Sequence, residues 1–466
     1  MIALSNLLAT LEGGHDVPLS TTLLFTGVLV GLIACLALEE KIHAKKSVIV
    51  GVFAVISLLL GAAYHLLPYG PYEIGGHAMD LPVYVPSVDW NVVAIILGSS
   101  LFVDITSKSG LFTWIAVKLT KASKGDPVLL LAYYGVMTVV FSAVLNNVTA
   151  MIIVGSLTGV SLKKLGRLNL LLGFLLTEGL LTNIGGLLTL ISSVPNILVG
   201  TAAGISFASF FVKAAPYVVV ATAITLFMGA RLFDIRRLST QEEREEAQRL
   251  VSGFDENDGI ESKGFFWFGT AMLLAFIVVI ASTSYLPLIR DLKMGYVALT
   301  FAVVMLVRYK AVADRFYSAV DWDLLGFFAG LFVVINVMEH AQVLTLIGQG
   351  LAVIIDMGET AGTGLILVAA AGFSSVTDNI PLAAMLAKIL QALDKPSDSP
   401  LWWSVVFGAN LGGNLTPIGS ASTLVAVTIM HKNDLKVSFA GFVVKALPYA
   451  LVQLALATLY VLVFLA

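Results

Sequence analysis

Asp378 offers the most chemistry in this sequence of 466 residues. It sits in Thr377-Asp378-Asn379, between two apolar stretches. An ionisable side chain at membrane depth is expensive, which makes it a functional candidate by default. A carboxyl held between apolar arms can exchange a proton or meet a cation. Three further polar nodes interrupt apolar surroundings: Asn146, Asn147 and Thr149; Asn183, Gly185, Gly186 and Thr189; and Asn410, Gly412, Gly413 and Thr416. Amide, hydroxyl and carbonyl oxygens are hard donors that suit a cation such as sodium. Backbone N–H groups freed at the start of a helix suit an anion instead. The residue types therefore leave both signs of cargo open. Glu178 is the second acid of interest, five residues before Asn183 in an otherwise uncharged run, and it reads as a proton or cation carrier. Helix capping is the ordinary role of any one of these Asn or Thr residues. Asp104 and Glu339-His340 lie near the ends of their apolar runs and read as interfacial groups.

The nodes are related to one another. Asn183, Gly185, Gly186, Thr189 and Ile191 recur as Asn410, Gly412, Gly413, Thr416 and Ile418, at a constant offset of 227. Asp89-Trp90 recurs as Asp321-Trp322, Phe141-Ser142 as Phe373-Ser374 and Asn147 as Asn379, at an offset of 232. Asn146 stands where Asp378 stands, so only one of the two copies carries the acid. Glycine pairs at membrane depth free backbone groups from helix bonding, and such breaks survive only inside protein or beside a cavity. Two matched breaks point to a binding site between the repeats of a secondary transporter.

The elements that must hold these nodes follow from composition. Of the residues, 58% are hydrophobic and 12% charged, against roughly 25% charged in a soluble domain. The chain reads as an all-α polytopic membrane protein with about ten or eleven spans of about 20 residues each. Apolar segments 126–160 and 362–392 are broken by polar residues at their centres and read as re-entrant hairpins. Segments 168–200 and 401–430 read as discontinuous helices. Most of the 27 Lys and Arg residues fall in 41–46, 108–124, 163–167, 231–263, 308–315 and 432–436. The positive-inside rule makes these loops cytoplasmic and places both termini outside. Basic residues flank 126–160 at both ends, so that hairpin enters from the cytoplasm and 362–392 enters from outside. The result is an inverted repeat: 88–235 and 320–466, with scaffold helices in 1–87 and 264–319 and a charged cytoplasmic linker at 236–263. Residues 111–121 read as an interfacial elbow. The first twenty residues lack Lys and Arg and do not read as a signal peptide.

Several functions are excluded by what the sequence lacks. It has no Walker A sequence, no nucleophile-elbow pentapeptide and no His/Cys cluster at metal spacing. Cys35 is the single cysteine. No enzyme, cofactor or nucleic-acid partner is expected, only a coupling ion, sodium or proton. The nearest base to the second tip along the chain is Lys388, nine residues past Asn379, so no buried Lys or Arg is expected to neutralise an anion.

The motifs around 145–149, 182–186, 195–197, 377–381 and 412–419 resemble the ion transporter superfamily. They look closest to the branch of arsenite permeases, NhaD-type sodium/proton antiporters and the P protein; citrate and divalent-anion symporters are more distant. The resemblance implies a scaffold, a mobile transport unit with two re-entrant hairpins, elevator-type motion and a homodimer, in a bacterial inner membrane. The antiporter pattern carries an acid at the first tip, where this sequence has Asn146, and a second acid within the motif that is 191–196 here, which has none. The acids Asp378 and Glu178 tilt the expectation to sodium/proton exchange. Transport of arsenite, an oxyanion or a di- or tricarboxylate is the alternative.

Overall fold

A computed structural model describes residues 17–74, 76–310, 313–318, 320–355 and 357–465. Residues 1–16 and 466, the termini expected outside, lie beyond them. The chain is an all-α polytopic membrane protein. The first half runs α1 (Leu19–Ala37), α2 (Lys46–Ala63), α3 (Trp90–Ser107), α4 (Leu111–Ala122), α5 (Pro127–Val144), α6 (Asn147–Lys164), α7 (Leu171–Gly185), α8 (Val194–Ala202) and α9 (Phe207–Leu232). The linker carries α10 (Gln241–Ser252). The second half runs α11 (Lys263–Ser282), α12 (Ile289–Arg308), α13 (Trp322–His340), α14 (Val343–Ile355), α15 (Glu359–Ser374), α16 (Asn379–Ala392), α17 (Pro400–Gly412), α18 (Ala421–Lys432) and α19 (Phe439–Tyr460).

Nine helices among the described residues are long and apolar enough to cross a membrane. Helix α12 falls outside that measure: Arg290, Asp291 and Lys293 crowd its start, and Lys293 is non-helical at φ 63° and ψ 177°. Of the broken-helix halves, 168–185 meets it with the turn that precedes α7, whereas α8, α17 and α18 are each too short on their own. Two features were not anticipated. The loop between α2 and α3 folds into an antiparallel ribbon, β1 (Tyr72–Ile74) on β2 (His77–Met79), turned at Gly76 with φ +79°. The stretch 341–358 contains α14, which stands where α4 stands in the first half.

The two series match by cap as well as by order. Asp89 caps α3 and Asp321 caps α13. Asn146 caps α6 and Asp378 caps α16. Ser206 caps α9 and Ser438 caps α19, each accepting an N–H three residues on. The sequence SFA-x-F-x-VKA-x-PY from Ser206 to Tyr217 recurs from Ser438 to Tyr449, where the offset returns to 232.

Packing exchanges partners between the halves. Helix α3 packs on α12 and α13 packs on α2. Glycines make both approaches possible: a Cβ at Gly98 would lie 2.5 Å from the Ala298 backbone, and one at Gly330 would lie 2.9 Å from Val50 Cγ1. Small residues are what allow helix backbones to close up in this way in a membrane. Half-helix α8 packs on the second hairpin arm α16, and half-helix α18 packs on the first hairpin arm α6 and on α7.

The linker docks at the base of the first hairpin. Thr240 and Glu243 form a reciprocal capping box on α10. Asp126 caps α5 through Oδ1 and takes Leu238 N–H on Oδ2 at 3.1 Å. Glu256 pairs with Lys118 at 2.7 Å and also with Lys121, both on α4. Hydrogen bonds from these two lysines hold its carboxyl down to about 2.

Candidate functional site

The two breaks fold by the same side-chain contacts. Ser142 Oγ donates to Thr182 O at 2.6 Å, and Ser374 Oγ donates to Ala409 O at 2.6 Å. Thr189 Oγ1 donates to Ala143 O at 2.7 Å, and Thr416 Oγ1 donates to Ser375 O at 2.6 Å. Each pair therefore ties a break to the first arm of its own hairpin. The glycines serve this approach: a Cβ at Gly185 would meet Val139 O at 2.6 Å, and one at Gly412 would meet Ala371 O at 2.3 Å. At Gly186 it would meet Asn147 Nδ2 at 2.8 Å, and at Gly413 Ser420 Cβ at 2.9 Å.

The carbonyls freed at the first break are largely occupied. Gly186 O accepts from Ser192 Oγ at 2.6 Å and Asn196 Nδ2 at 2.7 Å. Thr189 O accepts from the same two side chains at 2.7 Å and 2.9 Å. These two oxygens have four lone pairs, and Ser192 brings one hydrogen and Asn196 two, so three of the four can be filled by protein. At the second break Thr423 Oγ1 stands where Asn196 stands, and it reaches Gly413 O and Thr416 O only at 3.5 Å and 3.4 Å. Neighbouring hydroxyls and amides therefore take most, not all, of the acceptor valence that the first break frees.

Asn183 and Asn410 join the halves. Asn183 Nδ2 donates to Asn414 Oδ1 at 2.8 Å and Ser420 Oγ at 2.9 Å. Its Oδ1 accepts from Ser422 Oγ at 3.2 Å and Asn147 Nδ2 at 3.4 Å. Asn410 Nδ2 donates to Asn196 Oδ1 at 2.9 Å and Val406 O at 2.7 Å, while its Oδ1 accepts from Ser193 Oγ at 2.6 Å. Ser193 and Ser420 are matched at the 227 offset. Each half's Asn thus bonds the other half's Ser, the reciprocity that a two-fold relation produces. Asn414 continues the network to Gln453 Oε1 at 2.7 Å, and Gln453 Nε2 reaches Thr225 Oγ1 at 3.0 Å. All of these residues are buried except Asn147 and Ser420, which are half-buried.

The tips keep more open valence. Asn146 is exposed, and its side chain accepts Thr149 N–H at 2.8 Å. Asn147 Oδ1 accepts Ser142 Oγ at 2.6 Å. Asn379 makes one side-chain hydrogen bond among the described residues, to Ala409 O at 3.3 Å. Thr377 Oγ1 turns back to Phe373 O at 2.9 Å. Asp378 accepts Ile380 N–H on Oδ1 at 3.0 Å.

Its other oxygen corrects the sequence reading. Asp378 Oδ2 is 2.5 Å from Lys46 Nζ, at the first turn of α2. The base near the second tip is therefore Lys46 and not Lys388, which lies 3.3 Å from Glu339. Lys46 was counted with the cytoplasmic loop charges, and nothing in the chain between it and Asp378 announces their meeting. Glu178 is fully buried on α7; Oε1 accepts from Thr158 Oγ1 at 2.6 Å, and Oε2 has no partner among the described residues. Asp104 pairs with Lys108 at 2.8 Å at a half-exposed helix end. The residues missed by sequence reasoning are Lys46, Thr158, Ser193, Asn196, Asn414, Ser420 and Gln453. The 227 offset already marks Ser193 and Ser420.

Comparison with known proteins adds a family. A model described as "citrate transporter" matches residues 33–408. The uncharacterized transporter Rv2684 of Mycobacterium tuberculosis is 29% identical over 382 residues, covering 80% of this chain and 86% of that protein. The human P protein is 26% identical over 518 residues, covering 94% of this chain and 59% of its own length. Among solved structures, the YdaH transporter of Alcanivorax borkumensis superposes with a TM-score of 0.62 at 14% identity, covering 90% of this chain and 98% of its own. MtrF of Neisseria gonorrhoeae, which belongs to a class of antimetabolite efflux pumps, gives 0.57 at 14% identity, with 90% and 95% covered. At that identity the likeness is one of fold.

Proposed function

The chain belongs to the citrate transporter family, and from that premise we propose that it is a cation-coupled secondary transporter exchanging sodium for protons. The observation that carries this reading is Asp378 at the second tip, the one acid among the tip amides and hydroxyls, paired with Lys46. One acid lets a proton and a sodium ion compete for the same oxygen, which is the minimum that exchange requires. Asn146, Asn147, Thr149, Thr377 and Asn379 supply the remaining oxygens from the tips. Asn183, Gly185, Gly186, Thr189, Asn410, Gly412, Gly413 and Thr416 frame them. Glu178 is a second proton carrier, held dry beside Thr158.

We take the two-fold relation between the halves together with the loop charges, which sets the axis in the membrane plane and inverts the repeat. The exchanged packing then supports an elevator-type motion, in which hairpins and broken helices travel against α2, α3, α12 and α13. The setting is a bacterial inner membrane, with both termini outside and two copies side by side. No cofactor is needed beyond the coupling ion.

Lys46 favours a second reading. A lysine at the tip, with a family description that names citrate, suits a carboxylate or oxyanion cargo; neutral arsenite would need no such charge.

Reconstituted vesicles separate the two. Sodium added outside should dissipate an imposed pH gradient, and Asp378→Asn should slow that at least about tenfold, the loss of one charge-assisted hydrogen bond. Uptake of labelled citrate or arsenite with no sodium response would replace exchange by the second reading.

A further inference from the structure

We propose that Lys46 is the resident counter-cation of Asp378, holding the second hairpin tip against α2 until a proton or sodium ion takes the carboxylate. The proposal rests on reading Asp378 as the coupling acid and explains how its occupancy becomes movement. Lys46 begins α2, a helix outside the hairpin, and lies 332 residues from Asp378 in sequence. The pair is only partly open to solvent, with the aspartate side chain at 10% exposure. A charged contact there is stronger than one at a wet surface.

The surroundings let the lysine leave. Glu39 Oε1 lies 3.7 Å from Lys46 Nζ, so a second carboxylate already shares the ammonium. The next acid, Asp323 on α13, is engaged by Ser47, accepting its backbone N–H at 3.2 Å and its hydroxyl. When a proton or sodium ion neutralises Asp378, Lys46 loses its reason to stay and settles on Glu39. The tip keeps its fold, because the cap from Asp378 to Ile380 N–H needs an oxygen and not a net charge. The first tip has Asn146 in the matched place, so this control acts on one hairpin only.

Hydrogen exchange on the purified full-length protein in detergent tests the latch without any transport assay. Peptides over 375–382 should exchange slowly at neutral pH in choline chloride. Sodium chloride should speed them, and a lower pH should reduce their protection once the slower chemical exchange at that pH is divided out. Lys46→Gln should raise their exchange about tenfold and remove the sodium and pH responses; Lys46→Arg should preserve both. Should Lys46→Gln fail to fold, Asp378→Asn, which keeps the cap through its amide oxygen, should show the same fast exchange with no sodium response. Equal exchange in Lys46→Gln and the native protein, or an unchanged sodium response in either variant, would overturn the latch. Native vesicles that move neither sodium nor protons, alongside the expected exchange data, would refute sodium/proton exchange and uphold the latch.

Discussion

Asn146 and Asp378 hold matched places at the two hairpin tips, 232 residues apart. Each caps the returning arm of its hairpin, Asn146 by accepting Thr149 N–H at 2.8 Å and Asp378 by accepting Ile380 N–H at 3.0 Å. Asn and Asp are about equal as helix caps. The turn therefore does not need the charge that Asp378 brings. What differs is company: Asn146 is exposed, whereas Asp378 is fastened to Lys46. The tip's shape and the tip's charge are separable, and the charge is what links the second tip to α2. The first hairpin is fastened elsewhere, at its base, where α10 and its flanks bind through Asp126, Lys118 and Lys121.

The largest test of the shared part of this comparison is Gly412→Ala. Its Cβ would press on the Ala371 carbonyl at 2.3 Å. Backbone cannot yield as a side chain does, so we expect about 3 kcal/mol of destabilisation, read as a lower melting temperature in detergent. Gly185→Ala, with a closest approach of 2.6 Å to Val139 O, should follow in the same direction by less. If both are tolerated, the hairpins do not lean on the breaks as described.

Asn146→Asp sharpens the unshared part. The cap is preserved, so melting should change by under about 0.5 kcal/mol. A second titrating tip should raise the number of protons moved per sodium in vesicles. An unchanged ratio would mean that the acid acts only beside Lys46. The smallest effect belongs to the first hairpin's fastening. The Glu256 carboxyl sits at about 2 in the folded protein, below the ordinary value of about 4.3. Its contribution is complete above that ordinary value and is lost as pH falls toward 2. Pepsin cleavage within 235–263 should rise over that window, and Glu256→Gln should raise cleavage a few-fold already at pH 4–5. Cleavage that ignores both would detach the linker from the hairpin.

The backbone plan was legible in the residues, and the tertiary charges were not. Glycine pairs at Gly185 and Gly412 announce breaks, because helices at membrane depth rarely tolerate them without a reason. The tips were legible as isolated polar residues in apolar runs. Asn414 was not singled out, since its counterpart at the 227 offset is Leu187 and the repeat gives no hint of it. Gln453 likewise stands opposite Ala221. Lys46 was hidden by a different effect: lysines at helix starts near charged loops usually face water, and a pair so distant in sequence is a product of packing alone. Helix α14 escaped because its stretch lacks the lysines that mark α4.

The central claim is that two copies of one unit enter the membrane from opposite sides. Single cysteines at Lys124 and Ser397, both exposed and each at the base of one hairpin, measure this directly in a Cys35→Ser background. An impermeant maleimide applied to right-side-out vesicles should label Ser397→Cys and spare Lys124→Cys, with the pattern reversed in inverted vesicles. Labelling of both positions from the same side would contradict the account.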